Sequence, residues 1–196
     1  MPARLSALRR LVVLPLLLLT ACTLSGVGHP PKRALAPPSA LGDRSFQQVL
    51  TVYSDGAERR LIAAGQIRDG VLVLALLTPE GIELLRLRQD SDGLVVRRER
   101  DLPPGMTPSA IVADFQLIHW PVSALRMEWG DAWELTERAG ERLLSYRGEP
   151  RVRVEYADRP WRGPVTLEDL QYGYHLEVAT LSHDRHARGD GPAERE

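Results

Sequence analysis

The chain reads as a mainly β protein: a strongly curved antiparallel sheet, an incomplete barrel, with a central helical segment covering its concave face. Three observations predict this. Short apolar runs are separated by Asp-Gly and Pro-x-Gly turn signals, as in successive hairpins. The hydrophobic period then changes once, from two to 3.6, near the middle of the 196 residues. Beyond that point alternation returns and holds to about residue 182. An up-and-down β-barrel is the competing architecture, but it has no need of the central helix.

The elements follow in order. "FQQVLTVY" (Phe46–Tyr53) runs into the turn Ser54-Asp55-Gly56, and "RRLIAAGQIR" runs into Asp69-Gly70. Val71–Leu77, "VLVLALL", lacks alternation, so both of its faces are expected to be covered and it is expected to be a central strand. Thr78-Pro79-Glu80-Gly81 leads to "IELLRLRQ", and Ser91-Asp92-Gly93 to "LVVRRER". Thr107 is then an N-cap with Pro108 at the first helical position. Ile111, Phe115 and Ile118 share one helical face, and Pro121 stops the helix near His119. "PVSALRM" adds a short turn, after which "AWELTER", "ERLLSYRG", "RVRVEYA", "VTLEDL" and "YHLEVATL" read as five more strands. Val152, Val154 and Tyr156 alternate with Arg151, Arg153 and Glu155, and Tyr174, Leu176 and Val178 repeat the pattern, which marks half-buried strands with a solvated outer face.

The ends are of a different character. Arg4, Arg9 and Arg10 precede the apolar stretch Leu11–Leu19, which is too short to span a bilayer and reads as an export signal over residues 1–21. The single cysteine of the chain, Cys22, follows Leu19-Thr20-Ala21 in the order of a bacterial lipobox. Its thiol is therefore expected to carry lipid and to begin the mature chain, and one acyl chain anchors weakly where two or three anchor durably. Thr23 rather than Asp follows the cysteine, which points to the periplasmic side of the outer membrane of a Gram-negative cell. Residues 22–44, with Pro30, Pro31, Pro37 and Pro38, read as a lipidated tether, residues 45–182 as the β domain, and residues 183–196 as a polar tail. Without residues 1–21 the chain has 22 basic against 26 acidic residues, net −4, which argues against a nucleic-acid partner.

Little in the sequence points to covalent chemistry. There is no Gly-x-Ser-x-Gly elbow, phosphate loop or dinucleotide fingerprint, and no cofactor is expected. His119 and Asp114 are five apart on the helix, a poor same-face pair, and a helix-terminal His commonly meets the last carbonyls. His183-Asp184-Arg185-His186 lacks a third ligand at metal-binding spacing. Glu128, Asp131 and Glu134 read as a solvated rim, and Arg188-Gly189-Asp190 as an incidental tripeptide. Trp161, in "DRPWRGP", lies in a loop, either exposed or folded onto the domain as a staple.

The lipobox, "DFQLIHWPVSALRMEW" (Asp114–Trp129), "RVRVEY" and "YGYHLEVATLS" resemble a family of bacterial lipoproteins defined by a domain of unknown function, over roughly Phe46–Ser182. Gln116, Leu117, Trp120 and Pro121 form the most distinctive piece. Members of that family look like relatives of the lipoprotein-localisation factors LolA and LolB, so the resemblance implies a LolB-like incomplete β-barrel whose apolar interior receives acyl chains. Some members are similar to lipoproteins encoded beside clusters for aryl polyene lipids. The expectation is a monomeric, non-catalytic outer-membrane lipoprotein that binds an acyl or polyene lipid, or a lipoprotein, in an apolar cavity. Expected lining residues are Val73, Leu85, Leu87, Ile111, Phe115, Ile118, Val154 and Leu176. The alternative is a tethered interaction protein with a filled core that docks on another envelope protein.

Overall fold

A computed structural model describes residues 30–100 and 102–186. The signal segment, Cys22, the start of the tether and the end of the tail lie outside the described residues. Ten strands and two helices follow in the expected order. The first five strands are β1 (Arg44–Ser54), β2 (Ala57–Arg68), β3 (Val71–Leu77), β4 (Glu83–Asp90) and β5 (Gly93–Glu99). Helices α1 (Pro108–His119) and α2 (Val122–Glu128) come next. After them come β6 (Trp133–Arg138), β7 (Glu141–Tyr146), β8 (Glu149–Tyr156), β9 (Val165–Asp169) and β10 (Tyr174–Arg185).

All ten strands form one sheet in the order β5-β4-β3-β2-β1-β10-β9-β8-β7-β6. Each half is a meander, and antiparallel pairing of β1 with β10 joins the halves at the centre. The tight hairpins have the chemistry their geometry demands: Asp55-Gly56 and Asp69-Gly70 all take positive φ, as two-residue turns matching the strand twist require. The Thr107 hydroxyl caps α1 by accepting from the Ala110 amide at 3.2 Å. The helix ends at His119 ahead of Pro121.

The sheet wraps around α1. The Gln116 side-chain amide donates to Gln89 of β4 at 3.0 Å, while the next carbonyl, Leu117, accepts from Arg142 of β7 at 2.7 Å. Those strands are seven positions apart in the sheet. Laid flat they would be separated by about 34 Å, against a helix about 10 Å wide. Contact with both is possible because the sheet curls. Its edges, β5 and β6, stay unpaired with each other, so the barrel is incomplete. Residues 111–119 of α1 are all buried, as befits a helix enclosed on every side.

Two expectations are corrected. The segment read as the end of a tether packs into the domain from Arg33 onward. The Ala36 amide donates to Gln116 at 2.8 Å, its carbonyl accepts from Gln116 at 2.8 Å and Gln89 at 2.9 Å, and Ala36 is fully buried. The indole nitrogens of Trp129 and Trp120 donate to the carbonyls of Ala34 and Pro37 at 2.9 and 3.1 Å. Arg33 pairs with buried Asp114 at 2.6 Å, and Asp114 also accepts from the Tyr174 hydroxyl. Backbone groups with no periodicity to reveal them are thus satisfied by side chains some 80 residues away. At the other end the tail starts later than expected, because β10 continues to Arg185.

β3 differs too. It is an interior strand but lies third from the β5 edge, and β1 and β10 hold the centre. Leu72, Leu74 and Leu76 face the core, while Val71, Val73 and Leu77 are half-buried on the other face.

Replacing Gln116 by Leu strands both polar groups of Ala36's partner network at once. The expected cost is about 2–4 kcal/mol in urea unfolding. Trypsin cleavage at Lys32 and Arg33 accelerates, because the strap no longer holds to the helix.

Candidate functional site

Two neighbouring features border the C-terminal half of α1. The first is an apolar seam between α1 and strands β1, β2, β3 and β10. Of the expected lining residues, Ile111, Phe115 and Ile118 of the helix and Leu176 of β10 border it. Leu85, Leu87 and Val154 are fully buried but belong to other parts of the core. Val73 is on the opposite face of the sheet, a correction that follows from the period of two: in a run without alternation the sequence does not say which parity points inward. The seam holds about 30 Å³, room for a water or two. In this state the interior is filled.

The second feature is an open groove of about 900 Å³ beside the C-terminal end of α1. Arg44 of β1, Arg185 of β10, and Arg159 and Arg162 of the β8–β9 loop line it, with Arg142 at its floor. None of the lining residues, all of them described, is acidic. Trp161 is the staple anticipated as one of two options. It stacks between His119, at 3.8 Å between ring centroids, and His183, at 4.1 Å. The Arg44 guanidinium carbon sits 5.6 Å from the Trp161 ring centroid. Phe46 stacks on Phe115 at 4.7 Å beneath this assembly. Gly65, opposite Phe46 in the register, leaves the space, since a Cβ there would come within 2.5 Å of the Phe46 ring.

A β-bulge decides which residues of β10 face the groove. Gln48 pairs with Thr180 but Gln47 pairs with Ser182, so Leu181 is the extra residue. Without it, Ser182 and Asp184 would carry on the inward parity of Val178 and Thr180. With it, His183 lies opposite Phe46 and Arg185 lies opposite Arg44. Two arginines therefore face each other directly across the central strand pair, an arrangement that is repulsive when nothing intervenes.

The electrostatics follow from burial. Arg44 is 5% exposed; its Nε donates to the Gly42 carbonyl at 3.1 Å, and its Nη1 has no hydrogen-bond partner. Burial, followed by the charge of Arg185, pulls its guanidinium down to about 10. Arg142 is different, although it is equally buried. It donates to the carbonyls of Leu117 and Trp120 at 2.7 and 2.9 Å and to Glu137 at 2.8 Å, and Tyr156 donates to the Ile118 carbonyl at 2.8 Å. These contacts close the C-terminal end of α1. Burial, then the charges of Arg142 and Arg44, hold His119 well below its ordinary range, and burial lowers His183 too.

His119 approaches Gln48 at 3.2 Å and is not paired with Asp114, whose carboxylate is occupied by Arg33 and Tyr174. Among the described residues no three His, Cys, Asp or Glu side chains form a metal-binding group. His186 instead meets Ser45 at 3.2 Å. Sequence reading assigned Arg44 to the tether, Arg162 to a loop, and His183 and Arg185 to the tail. The clustering of basic residues in "DRPWRGP" and "HDRH" was the available signal.

Residues 45–182 match the DUF3261 family, described as proteins of unknown function, and the chain belongs to it. No curated protein matches the sequence. Among solved structures the chain is similar to the LolA superfamily protein NE2245 from Nitrosomonas europaea, with 9% identity, 76% of this chain and 89% of that one covered, and a TM-score of 0.37.

The neutral His119 makes stability depend on pH. The unfolded chain takes a proton on this residue from about pH 6.5 downward while the folded chain does not, so stability falls as the pH drops. Between pH 7.5 and 5.5, above the ordinary carboxylate range, thermal unfolding should register a loss of about 1 kcal/mol from His119. The more exposed His183 adds less. His119→Asn flattens this slope.

Proposed function

We propose that this DUF3261 member is a lipid-anchored, non-catalytic binding protein of the bacterial envelope. It takes up an amphiphile, an acyl or polyene lipid or a lipoprotein, during transport or assembly. The observation that carries this reading is a helix enclosed by a curled, open-edged sheet, with an apolar seam at Phe115 and Ile118 and, next to it across Gln48, an open cationic groove at His119. The lipobox at Leu19–Cys22 supports anchoring through acylated Cys22, and Thr23 supports the periplasmic side of the outer membrane. Among the described residues no helix is long and apolar enough to cross a membrane.

At about 30 Å³ the seam admits no hydrocarbon chain as it stands, so uptake requires α1 to move away from β1, β2, β3 and β10. The magnitudes permit it. Ten buried methylenes contribute about 8 kcal/mol, comparable to the loss of several buried hydrogen bonds at about 1–3 kcal/mol each. The same filled seam favours a second reading, a tethered interaction protein that docks on another envelope protein.

Native mass spectrometry of the full chain extracted from membranes separates the two. A bound lipid, with occupancy reduced severalfold by the seam-filling variant Ala63→Leu, is the expected result. Lipid-free protein recovered in complex with another envelope protein establishes the second reading instead. Cys22→Ser is expected to shift the chain from the membrane to the soluble fraction.

A further inference from the structure

We infer that the cationic groove seats a phosphoryl headgroup, so that the amphiphile handled here is an anionic phospholipid. This rests on the binding function proposed above and adds to it the chemical class of the ligand.

The charge arrangement points to a missing anion. Arg44 and Arg185 are directly opposed across β1 and β10, and none of the residues lining the groove is acidic. Arg44 is 5% exposed with an unpartnered Nη1, and unpaired buried cations are rare unless something neutralises them. The neighbouring buried Arg142 shows the contrast, since its donors are taken up by helix carbonyls and Glu137. The bulge at Leu181 is what turns Arg185 and His183 toward the groove. Bulges re-aim side chains in this way beside functional sites. The β8–β9 loop brings Arg159 and Arg162 to the same space on either side of Trp161. Arg159 approaches Asp158 at 3.6 Å, an exposed contact of little strength.

The geometry selects among anions. A bidentate arginine takes one donor on each of a carboxylate's two oxygens, which lie in a single plane, whereas a phosphoryl group presents three oxygens to donors from several directions. Here the cations arrive from β1, from β10 and from the loop. A lipid source is favoured over a small phosphate ester by what surrounds the charges. Gln48 lines the apolar seam and also reaches His119 and Thr180 of the groove, at 3.2 and 3.1 Å, so one side chain separates the two spaces. Leu181, 60% exposed, and Pro160 add apolar surface at the mouth. A headgroup in the groove thus places its acyl chains beside the seam.

The test is titration of the full chain, held in a neutral detergent, with three probes: dihexanoyl phosphatidic acid, dihexanoyl phosphatidylcholine and inorganic phosphate. Tryptophan fluorescence reports binding. Phosphatidic acid should bind at least about tenfold more tightly than either other probe, and phosphate should compete with it. The double variant Arg159→Gln/Arg162→Gln alters exposed loop side chains, and its folding is checked by circular dichroism. It should weaken phosphatidic acid at least about tenfold, and Arg185→Gln should act in the same direction. Equal binding of the two lipids, or no effect of the double variant, overturns the inference. Inorganic phosphate binding as tightly as phosphatidic acid overturns the lipid source. Lipid retained equally by the wild type and the double variant in native mass spectrometry defeats the headgroup assignment while leaving the proposed function intact. Arginine-dependent binding of phosphatidic acid by a chain that carries no lipid from the membrane supports the headgroup site and removes the seam's role.

Discussion

Everything in this fold depends on how one helix, buried from Ile111 to its end at His119, satisfies its polar groups. A helix with solvent along one side can leave its polar side chains and terminal carbonyls to water; α1 cannot. Gln116 and Asp114 would each be costly in an apolar interior without partners. Their partners come from β4, from the central strand β10 and from a strap that precedes the first strand, and those of the last carbonyls from β7 and β8. Gln116 meets Gln89 and Ala36, Asp114 meets Arg33 and Tyr174, and the last carbonyls meet Arg142 and Tyr156. The curl of the sheet is the geometric consequence, because β4 and β7 reach adjacent helical residues only by closing around them. Tyr174 fits the same logic. Burial, then the nearby Asp114 charge, raises its hydroxyl well above the ordinary range and keeps it a donor.

The stretch that carries the family resemblance acquires a physical meaning from that arrangement. In the stretch Asp114–Trp129, Asp114, Gln116, Trp120 and Trp129 all grip the strap, through one ion pair and hydrogen bonds to backbone groups. Leu117 fills the core, and Pro121 ends one helix while serving as the N-cap residue of the next. The stretch is thus a fastening between a helix and the chain that leads in from residue 33. The helix, the strap and the polar contacts between them form one unit.

Arg44 and Arg142 show how the same residue type takes opposite roles a short distance apart. Arg142 completes a helix end, where the carbonyl dipoles and Glu137 answer its charge. Arg44 lies opposite another arginine, against a tryptophan face that is already flanked by two neutral histidines. Cation–π contact offsets part of the cost of burying it, but the ring carries no net charge. The groove therefore gathers several arginines with no acidic residue in its lining, and it adjoins the apolar seam through Gln48.

Local rules carried the sequence a long way. Asp-Gly turns, alternation in "RVRVEY", the Thr107–Pro108 cap and the stop at Pro121 depend on neighbours within a few residues. They located ten strands, the helix and the antiparallel connectivity within a residue or two at most ends. Ile111, Phe115, Ile118 and Leu176 are buried on the faces that their local periodicity indicates, as are Leu85, Leu87 and Val154. What depended on distant partners was not legible. The unalternating Val71–Leu77 left the direction of Val73 undetermined until β2 and β4 set its parity. Pro-rich residues 33–41 resembled a linker because side chains from α1, β4 and the residue after α2 supply their hydrogen bonds. The groove was hidden for a similar reason: one inserted residue, Leu181, reverses the facing of β10, and that reversal is a property of its register with β1. Sequence alone determined the elements and their order; the tertiary structure decided which faces meet, because pairing register and burial are relations between residues far apart in the chain.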